Sequence, residues 1–213
     1  MTILTQKFLE TIFKEQKETT LFGKWITNND IRDLFSKHKT IFQVSEIGTS
    51  EENRPIMQFK IGSGKKKILI WTQMHGNEST GTKAVFDLFN CFLNTDKEQF
   101  STILKECTLV FIPMLNPDGS QAYTRVNANN IDLNRNYPDN VAGPHDDGNA
   151  YQTETLAFMA LADANHFVIS ANFHGGTELV NYPFDNAYVS QYTHPDGNWF
   201  EFTGVEYATH AQN

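Results

Sequence analysis

Hydrophobic residues change their spacing several times along the chain, and each change marks the boundary of a predicted element. The short apolar run 67–71 (KILIW) predicts a buried strand, and apolar residues at helical spacing in 79–94 predict a helix after it. Upstream, the alternating stretches 42–48 and 55–61 flank a polar turn at 49–53, which predicts a β-hairpin. A hairpin, a strand and a helix are therefore expected in the first half of the chain.

Strands and helices also alternate over the rest of the chain. Because this alternation is typical of a sheet covered by helices on both faces, we expect an α/β fold. The segment 120–150 is rich in Asn, Asp, Gly and Pro, and a loop this long inside a compact domain is usually functional or mobile. Helices are predicted at 5–20, after the capping residues 28–30, at 152–164 and at 197–210. Strands are predicted at 108–114 and 166–173, and the second of them is expected to be buried. A turn is predicted at 116–119, with Asp118 as a turn residue.

Composition narrows the class of protein. The chain has 213 residues, 39% of them hydrophobic, which fits one globular α/β domain. The net charge of −8 disfavours nucleic acid and anionic membrane as partners. The N-terminal segment has the pattern of an amphipathic helix rather than a signal peptide, and no apolar run is long enough to cross a membrane, so we expect a cytoplasmic protein. Cys91 and Cys107 are expected to be small buried thiols.

Positive charge is almost confined to the first half of the chain. Lys105 is the last lysine, and the only arginines after it are Arg125 and Arg135. Two isolated guanidinium groups in an otherwise acidic segment are better explained by specific roles than by ordinary surface positions.

Three residues have the spacing of a catalytic zinc site. His75 and Glu78 lie where the predicted strand 67–71 gives way to a helix, and His174 lies at the end of another apolar run, 96 positions after Glu78. Two ligands close together and a third from far along the chain are a recurring arrangement in catalytic zinc sites. An α/β sheet places its sites at strand ends, where all three candidates lie. The spacing makes these three residues candidate ligands, and the longer series of motifs that contains them predicts one Zn²⁺ per chain.

The candidate ligands belong to a longer series of motifs, at 75–78 (HGNE), 116–119 (NPDG), 132–137 (DLNRNY) and 174–184 (HGGTELVNYPF). In this order they resemble the zinc metallocarboxypeptidases of the carboxypeptidase A and B type. The resemblance extends from about residue 42 to about residue 183. It implies a three-layer sandwich with a mixed, mostly parallel twisted sheet and helices on both faces. It also implies that residues 1–213 form a single, incomplete catalytic domain.

The resemblance implies a role for each matched residue. His75, Glu78 and His174 correspond to the zinc ligands. Asp132 is similar to the carboxylate that orients the first histidine ligand, an outer contact that fixes the tautomer.

Further matched residues correspond to the family's substrate-binding groups. Arg125 resembles the arginine that stabilises the oxyanion of the tetrahedral intermediate. Asn134 and Arg135 resemble the pair that binds the terminal carboxylate of the substrate, a planar group that suits a guanidinium fork. Tyr182 resembles a tyrosine near the substrate groove. The implied partner is a peptide or small amide with a free C-terminal carboxylate.

The implied activity is that of a zinc-dependent metallocarboxypeptidase, a hydrolase that cleaves the C-terminal peptide bond with zinc-activated water. The family's general-base glutamate lies several tens of residues beyond the third zinc ligand. After His174 this sequence has only Glu178, Glu201 and Glu206, and none matches the family's motif. Since general acid–base catalysis contributes roughly 10²–10⁴ in rate, we expect a chain that binds zinc but is a poor catalyst.

Other readings of the same motifs remain open. Amidases and deacylases of small N-acyl amino acids are similar at 75–78, and bacterial cell-wall peptidases share the scaffold. The motif at 116–119 and the long segment 174–184 favour the peptidase. A chain without the general base could also be an inactive zinc-containing peptide-binding remnant. An incomplete sheet would leave an edge through which the chain could self-associate.

Overall fold

The computed structural model describes residues 6–94, 97–139, 148–185, 188 and 192–212. These residues form two compact units, of which the first contains the described residues up to 137 and 148–175. The second unit contains residues 138–139 and the described residues from 176 onward. The elements are α1 (Gln6–Glu15), a 3₁₀ turn (Thr19–Leu21), α2 (Asn28–His38), β1 (Gln43–Thr49), β2 (Pro55–Gly62), β3 (Lys66–Thr72), α3 (Thr80–Asn94), α4 (Lys97–Glu106), β4 (Cys107–Ile112), α5 (Pro117–Ala122), a 3₁₀ turn (Leu133–Arg135), α6 (Thr153–Asn165), β5 (Ile169–Phe173) and α7 (Gly197–Gln212).

The first unit is organised around a five-stranded mixed sheet with the strand order β1-β2-β4-β3-β5. β1 pairs with β2 and β2 with β4 in antiparallel fashion, which confirms the predicted hairpin. β3 pairs with β4 on one side and with β5 on the other, both parallel. The mixed sheet with flanking helices agrees with the expected fold class.

Two hydrophobic clusters lie on opposite faces of this sheet. Along β3 the side chains alternate between them, with Ile68 and Ile70 packing against one cluster and Leu69 and Trp71 belonging to the other. This alternation follows from the two-residue period of a strand. The larger cluster is rich in phenylalanine and is covered by the helices that precede and follow β3, whereas the smaller cluster is covered by α6. The helices therefore cover both faces, as predicted.

The predicted turn at 116–119 is the beginning of a helix. The side chain of Asn116 accepts a hydrogen bond of 2.8 Å from the Gly119 N–H, and Pro117 occupies the first helical turn, where its missing N–H costs nothing. The strong turn residues therefore act here as a helix cap, and α5 runs from Pro117 to Ala122.

The strand predicted at 166–173 is present as β5, but the prediction that it is buried is wrong. The strand begins only at Ile169, whose exposed fraction is 42%, and the preceding Val168 is 63% exposed. Among the described residues β5 pairs with β3 alone, so it forms an edge of the sheet. An apolar run predicts burial only when a neighbouring element covers it, and no described strand does so here.

The two cysteines differ in burial. Both cysteines are free thiols; Cys91 is buried and Cys107 is half-buried. Among the described helices, none combines the length and the hydropathy that a membrane span requires.

Candidate metal centre

The three candidate ligands are brought together by the pairing of two parallel strands. His75 and Glu78 lie in the turn between β3 and α3, and His174 directly follows β5. The last residues of these strands, Thr72 and Phe173, are partners in the ladder. Because parallel strands end on the same side of a sheet, the pairing places His174 beside His75 although the two are 99 positions apart in sequence.

The turn after β3 is fixed by close packing and by one buried amide. Gly76 approaches the backbone of Gly119 so closely that a Cβ atom on Gly76 would lie 1.9 Å from the Gly119 carbonyl carbon. The fully buried side chain of Gln73 donates to the Gly76 carbonyl (2.8 Å) and to the Ile26 carbonyl (3.2 Å). Gln73 itself has a left-handed φ of 52°, a conformation that is uncommon for a residue other than glycine. The turn therefore presents His75 and Glu78 from a rigid base.

The distances between the ligand atoms fit a zinc ion. His75 Nδ1 lies 2.9 Å from Glu78 Oε1 and 3.1 Å from His174 Nδ1, and His174 Nδ1 lies 3.0 Å from Glu78 Oε2. Zinc bonds of about 2.0–2.1 Å in a tetrahedron would separate the ligand atoms by about 3.3 Å. Two imidazoles and a carboxylate are also the donor set of several catalytic zinc sites. A tetrahedral ion on these three residues has a fourth position for water or substrate.

His75 is held in a form that can bind a metal. Its side chain is buried, with 2% exposed, and burial is the main cause that lowers its pKa, assisted by the nearby positive charge of Arg125. The imidazole is therefore neutral at pH 7. Its Nε2 lies 3.1 Å from Asp132 Oδ1, which favours a proton on Nε2 and leaves the Nδ1 lone pair facing Glu78 and His174.

The two carboxylates of the site are ionised. Burial by itself would raise the pKa of Glu78, but the Gly175 N–H and the imidazole of His75 outweigh it, so that the pKa is lowered. The pKa of Asp132 is also lowered, because the Asn134 N–H and Arg125 outweigh the effect of burial. Negative charge is thus concentrated where a cation would bind.

Arg125 lies at the rim of this cluster. Its Nε donates to Asp132 Oδ2 at 3.0 Å and its Nη1 to Glu78 Oε1 at 3.4 Å, while 44% of the side chain is exposed. The guanidinium group is therefore beside the ligands and also accessible from solvent. The role of Arg125 towards an oxyanion remains a prediction.

Asn134 and Arg135 occupy a 3₁₀ turn next to the metal cluster. Asp132 begins this turn, accepting from the Asn134 N–H at 2.9 Å, and the buried Leu133 anchors it in the smaller hydrophobic cluster. Asn134 and Arg135 themselves are exposed, and Arg135 Nη1 donates to the Asn134 carbonyl at 2.8 Å. Both side chains are thus available at the surface beside Asp132.

The end of that 3₁₀ turn is fastened to α6 by the buried amide of Asn136. Its Oδ1 accepts from the Gln152 N–H at 2.8 Å and from the Thr155 hydroxyl at 3.0 Å, and its Nδ2 donates to the Ala150 carbonyl at 3.1 Å. The backbone that carries the two exposed residues is therefore fixed on its buried side.

Tyr182 belongs to the second compact unit. Its ring stacks on Phe200 with an interplanar angle of 8° and a centroid distance of 6.2 Å, and 39% of the residue is exposed. The contacts described for Tyr182 are those within its own unit, so its contact with substrate remains a prediction.

The interpretation of Asp118 as a turn residue missed its main contacts. Asp118 is 3% exposed and accepts from the Ser50 hydroxyl (2.6 Å), the Glu52 N–H (2.9 Å) and Arg54 Nη1 (2.6 Å). It thereby ties α5 to the β1–β2 hairpin. Its partners lie 64–68 positions away in sequence, and local pattern gives no signal for such a contact.

The sequence agrees with one known family over most of its length. A family model described as zinc carboxypeptidase matches residues 27–213. The match covers far more than half of the chain, so the chain belongs to the zinc carboxypeptidase family, a family of metallopeptidases.

Individual relatives are similar over a large part of this chain but extend well beyond it. Carboxypeptidase SOL1 of Arabidopsis thaliana is 30% identical over 204 residues, which cover 89% of this chain and 42% of SOL1. Carboxypeptidase M of Mus musculus is 27% identical over 207 residues, 86% of this chain and 46% of that protein. The chain therefore spans less than half the length of these relatives.

Solved structures share the fold. Thrombin-activatable fibrinolysis inhibitor superposes with a TM-score of 0.71 at 15% identity, over 93% of this chain and 60% of that one. A metallo-carboxypeptidase from Burkholderia cenocepacia superposes with a TM-score of 0.60 at 23% identity, over 71% and 41%. The expected zinc carboxypeptidase fold is thus confirmed.

Proposed function

We propose that this chain binds one Zn²⁺ through His75, Glu78 and His174 and contributes the metal centre of a zinc-dependent metallocarboxypeptidase. The observation that supports it is the convergence of the three side chains: the two Nδ1 atoms lie 3.1 Å apart, and the two carboxylate oxygens of Glu78 lie 2.9 Å and 3.0 Å from them. Asp132 contacts the first histidine. Membership of the zinc carboxypeptidase family supports a zinc site in this chain. Because the family match continues through residue 213, we also propose that residues 1–213 belong to one catalytic domain.

When bound, the zinc would acidify a water molecule and polarise the carbonyl of the scissile bond. The protein's own residues would stabilise the developing negative charge and bind the carboxylate of the substrate. Arg125 offers positive charge at the rim of the cluster, where the negative charge of a tetrahedral intermediate would develop. Its present contacts with Glu78 and Asp132 hold the guanidinium in place before substrate arrives.

We propose a peptide or small amide with a free C-terminal carboxylate as substrate. Asn134 and Arg135 would bind that carboxylate, since both are exposed on a 3₁₀ turn that begins at Asp132. A guanidinium and an amide can together donate several hydrogen bonds to a planar carboxylate. Anchoring the free end of the peptide at a fixed distance from the metal would restrict cleavage to the last peptide bond.

We further propose that the 213-residue chain by itself turns over slowly. None of Glu178, Glu201 and Glu206 matches the family's general base in sequence, and a missing general base lowers rates by roughly 10²–10⁴. Zinc-dependent peptide binding without turnover is therefore the second candidate function. The exposed edge strand β5 also supports self-association through the sheet, which light scattering would detect.

One experiment tests the metal and the reaction together. Zinc affinity is measured by competition with a chromogenic chelator, and a mixed peptide pool is then incubated with the zinc-loaded chain and analysed by mass spectrometry. We expect one zinc per chain, its loss in His75→Ala, and no change in the control His210→Ala, whose side chain is 81% exposed.

The peptide pool distinguishes the candidate functions. Slow loss of single C-terminal residues, abolished by the chelator, supports the carboxypeptidase. An unchanged pool with zinc-loaded protein supports peptide binding alone. Release of N-acyl groups would contradict the peptidase assignment, and a folded chain that binds no zinc would contradict the metal centre itself.

A further inference from the structure

The imidazole of His174 has a second contact, on the side away from the metal cluster. Its Nδ1 faces Glu78 and His75, whereas its Nε2 lies 2.9 Å from the side-chain amide of Asn172. Asn172 is a residue of β5 and pairs with Trp71 of β3, so its backbone is fixed by the sheet. The ring of His174 is therefore held between the cluster and one carboxamide.

The chemistry of a neutral imidazole decides what that carboxamide must do. One ring nitrogen carries a proton and donates, and the other has a lone pair and accepts. A histidine that gives its Nδ1 lone pair to a metal must carry its proton on Nε2. The atom that faces Nε2 must then be a hydrogen-bond acceptor, and in Asn172 the only acceptor is Oδ1.

A half-turn about the Cβ–Cγ bond of Asn172 exchanges the positions of Oδ1 and Nδ2. As placed, Nδ2 faces His174 and also lies 3.2 Å from Met74 Sδ, while Oδ1 is buried and has no hydrogen-bond partner among the described residues. The positions of O and N in an amide are assigned from the surrounding hydrogen bonds. A half-turn gives Oδ1 a donor in His174 Nε2–H, gives up the contact with sulfur, a weak acceptor, and moves Nδ2 to the buried position that Oδ1 had.

We propose that Asn172 is a positioning residue of the metal centre. Its Oδ1 accepts from the Nε2–H of His174 and thereby fixes both the tautomer and the orientation of the third ligand. Asp132 contacts Nε2 of His75 in the same way, at 3.1 Å, so each histidine has one outer partner. The inference rests on the proposed function, because it takes His174 to be a metal ligand.

The hydrogen-bond partner of Nε2 matters more for the orientation of His174 than for that of His75. His75 is 2% exposed and is confined by packing, whereas the side chain of His174 is 33% exposed and lies after an edge strand. A ring with fewer packing contacts depends more on its hydrogen bonds for orientation. Removing the acceptor from Asn172 should therefore weaken metal binding without unfolding the sheet.

The test compares Asn172→Leu, which has no acceptor, with Asn172→Asp, which has only acceptors. Zinc affinity is measured by chelator competition, and thermal unfolding of the zinc-free proteins shows whether each variant folds. Outer contacts of this kind typically contribute 10–100-fold to metal affinity, so we expect that loss in Asn172→Leu and a value within about threefold of the original in Asn172→Asp. Asn29→Leu, an exposed asparagine of α2, is the matched control and should change nothing.

A second readout follows the proton itself. In long-range ¹H–¹⁵N spectra of the zinc-loaded chain we expect His174 to be the Nε2–H tautomer with a protected Nε2 proton, both in the original protein and in Asn172→Asp. Even if Asn172→Leu does not fold, this spectrum still tests the proposal. A rapidly exchanging Nε2 proton in the original protein would overturn it.

The outcomes separate this inference from the function on which it rests. Unchanged zinc affinity in folded Asn172→Leu overturns the inference and leaves the metal centre intact. An equal loss of affinity in Asn172→Leu and Asn172→Asp also overturns it, because the amide would then act as a donor or a packing group. A folded original chain that binds no zinc overturns both.

Discussion

His38 offers a direct test of how burial affects stability in this fold. The residue is fully buried against the rings of Phe42, Phe86 and Phe89, and neither ring nitrogen has a hydrogen-bond partner among the described residues. Burial, with a smaller contribution from the positive charge of Lys37, lowers the pKa of His38 to about 4. The imidazole is therefore neutral in the folded protein at pH 7, and it takes up a proton only at low pH.

The direction of the pH effect follows from this pKa. In the unfolded chain His38 has its ordinary pKa of about 6.5, so below that pH the unfolded state binds a proton that the folded state does not. Stability is complete above about pH 6.5 and is lost as the pH falls towards 4. With about 1.4 kcal/mol per pKa unit, the loss due to His38 is about 2 kcal/mol by pH 5.

The perturbation that tests this value is His38→Leu. Urea unfolding, followed by tryptophan fluorescence at pH 7.5 and pH 5, gives the free energy of unfolding of each protein at both pH values. We expect the decrease between the two pH values to be smaller by about 2 kcal/mol in His38→Leu. The same substitution at the exposed His210 should leave the decrease unaltered. An equal decrease in the original protein and in His38→Leu would refute the reasoning.

Two further substitutions test the supports of the metal turn. Asp118→Ala removes the acceptor of the Ser50 hydroxyl and the Glu52 N–H and leaves Arg54 paired only with Glu52, so it should lower the free energy of unfolding by about 1–3 kcal/mol, measured by thermal or urea unfolding. Asp33→Ala on the exposed face of α2 should have little effect, and equal stability of the two variants would contradict the role of Asp118. Gly76→Ala places a Cβ atom 1.9 Å from the Gly119 carbonyl carbon, so this variant should lose zinc binding in the chelator assay. The control Gly197→Ala has open space around the new Cβ atom and should bind zinc normally. Tight zinc binding by Gly76→Ala would show that the turn can move.

The sequence was sufficient to predict the parts of the fold that depend on local pattern. The apolar run at 67–71 and the helical spacing after it correspond to β3 and α3, and the alternating stretches correspond to the β1–β2 hairpin. Periodicity reports which side of an element is buried, and that information is contained in the element itself. The clustering of His75, Glu78 and His174 was predictable because their motif is local at 75–78 and strand-terminal at 174.

Contacts between distant segments could not be predicted in this way. Asn116 and Asp118 have the composition of a turn, but the first caps a helix and the second binds the hairpin. Whether β5 is buried depends on a neighbouring strand, and the pattern of β5 itself contains no such information.

The position of His174 after an edge strand has a kinetic consequence for a bound ion. Of the three proposed ligands, two come from one turn next to the centre of the sheet, whereas the third is held by a strand with a single described neighbour. Edge strands open more readily than central ones, because fewer backbone hydrogen bonds must break. Each opening of β5 would leave zinc with two ligands, so the residence time of the metal would be governed by the fraying of this strand. Any partner that pairs with β5 would then slow zinc release without touching the metal.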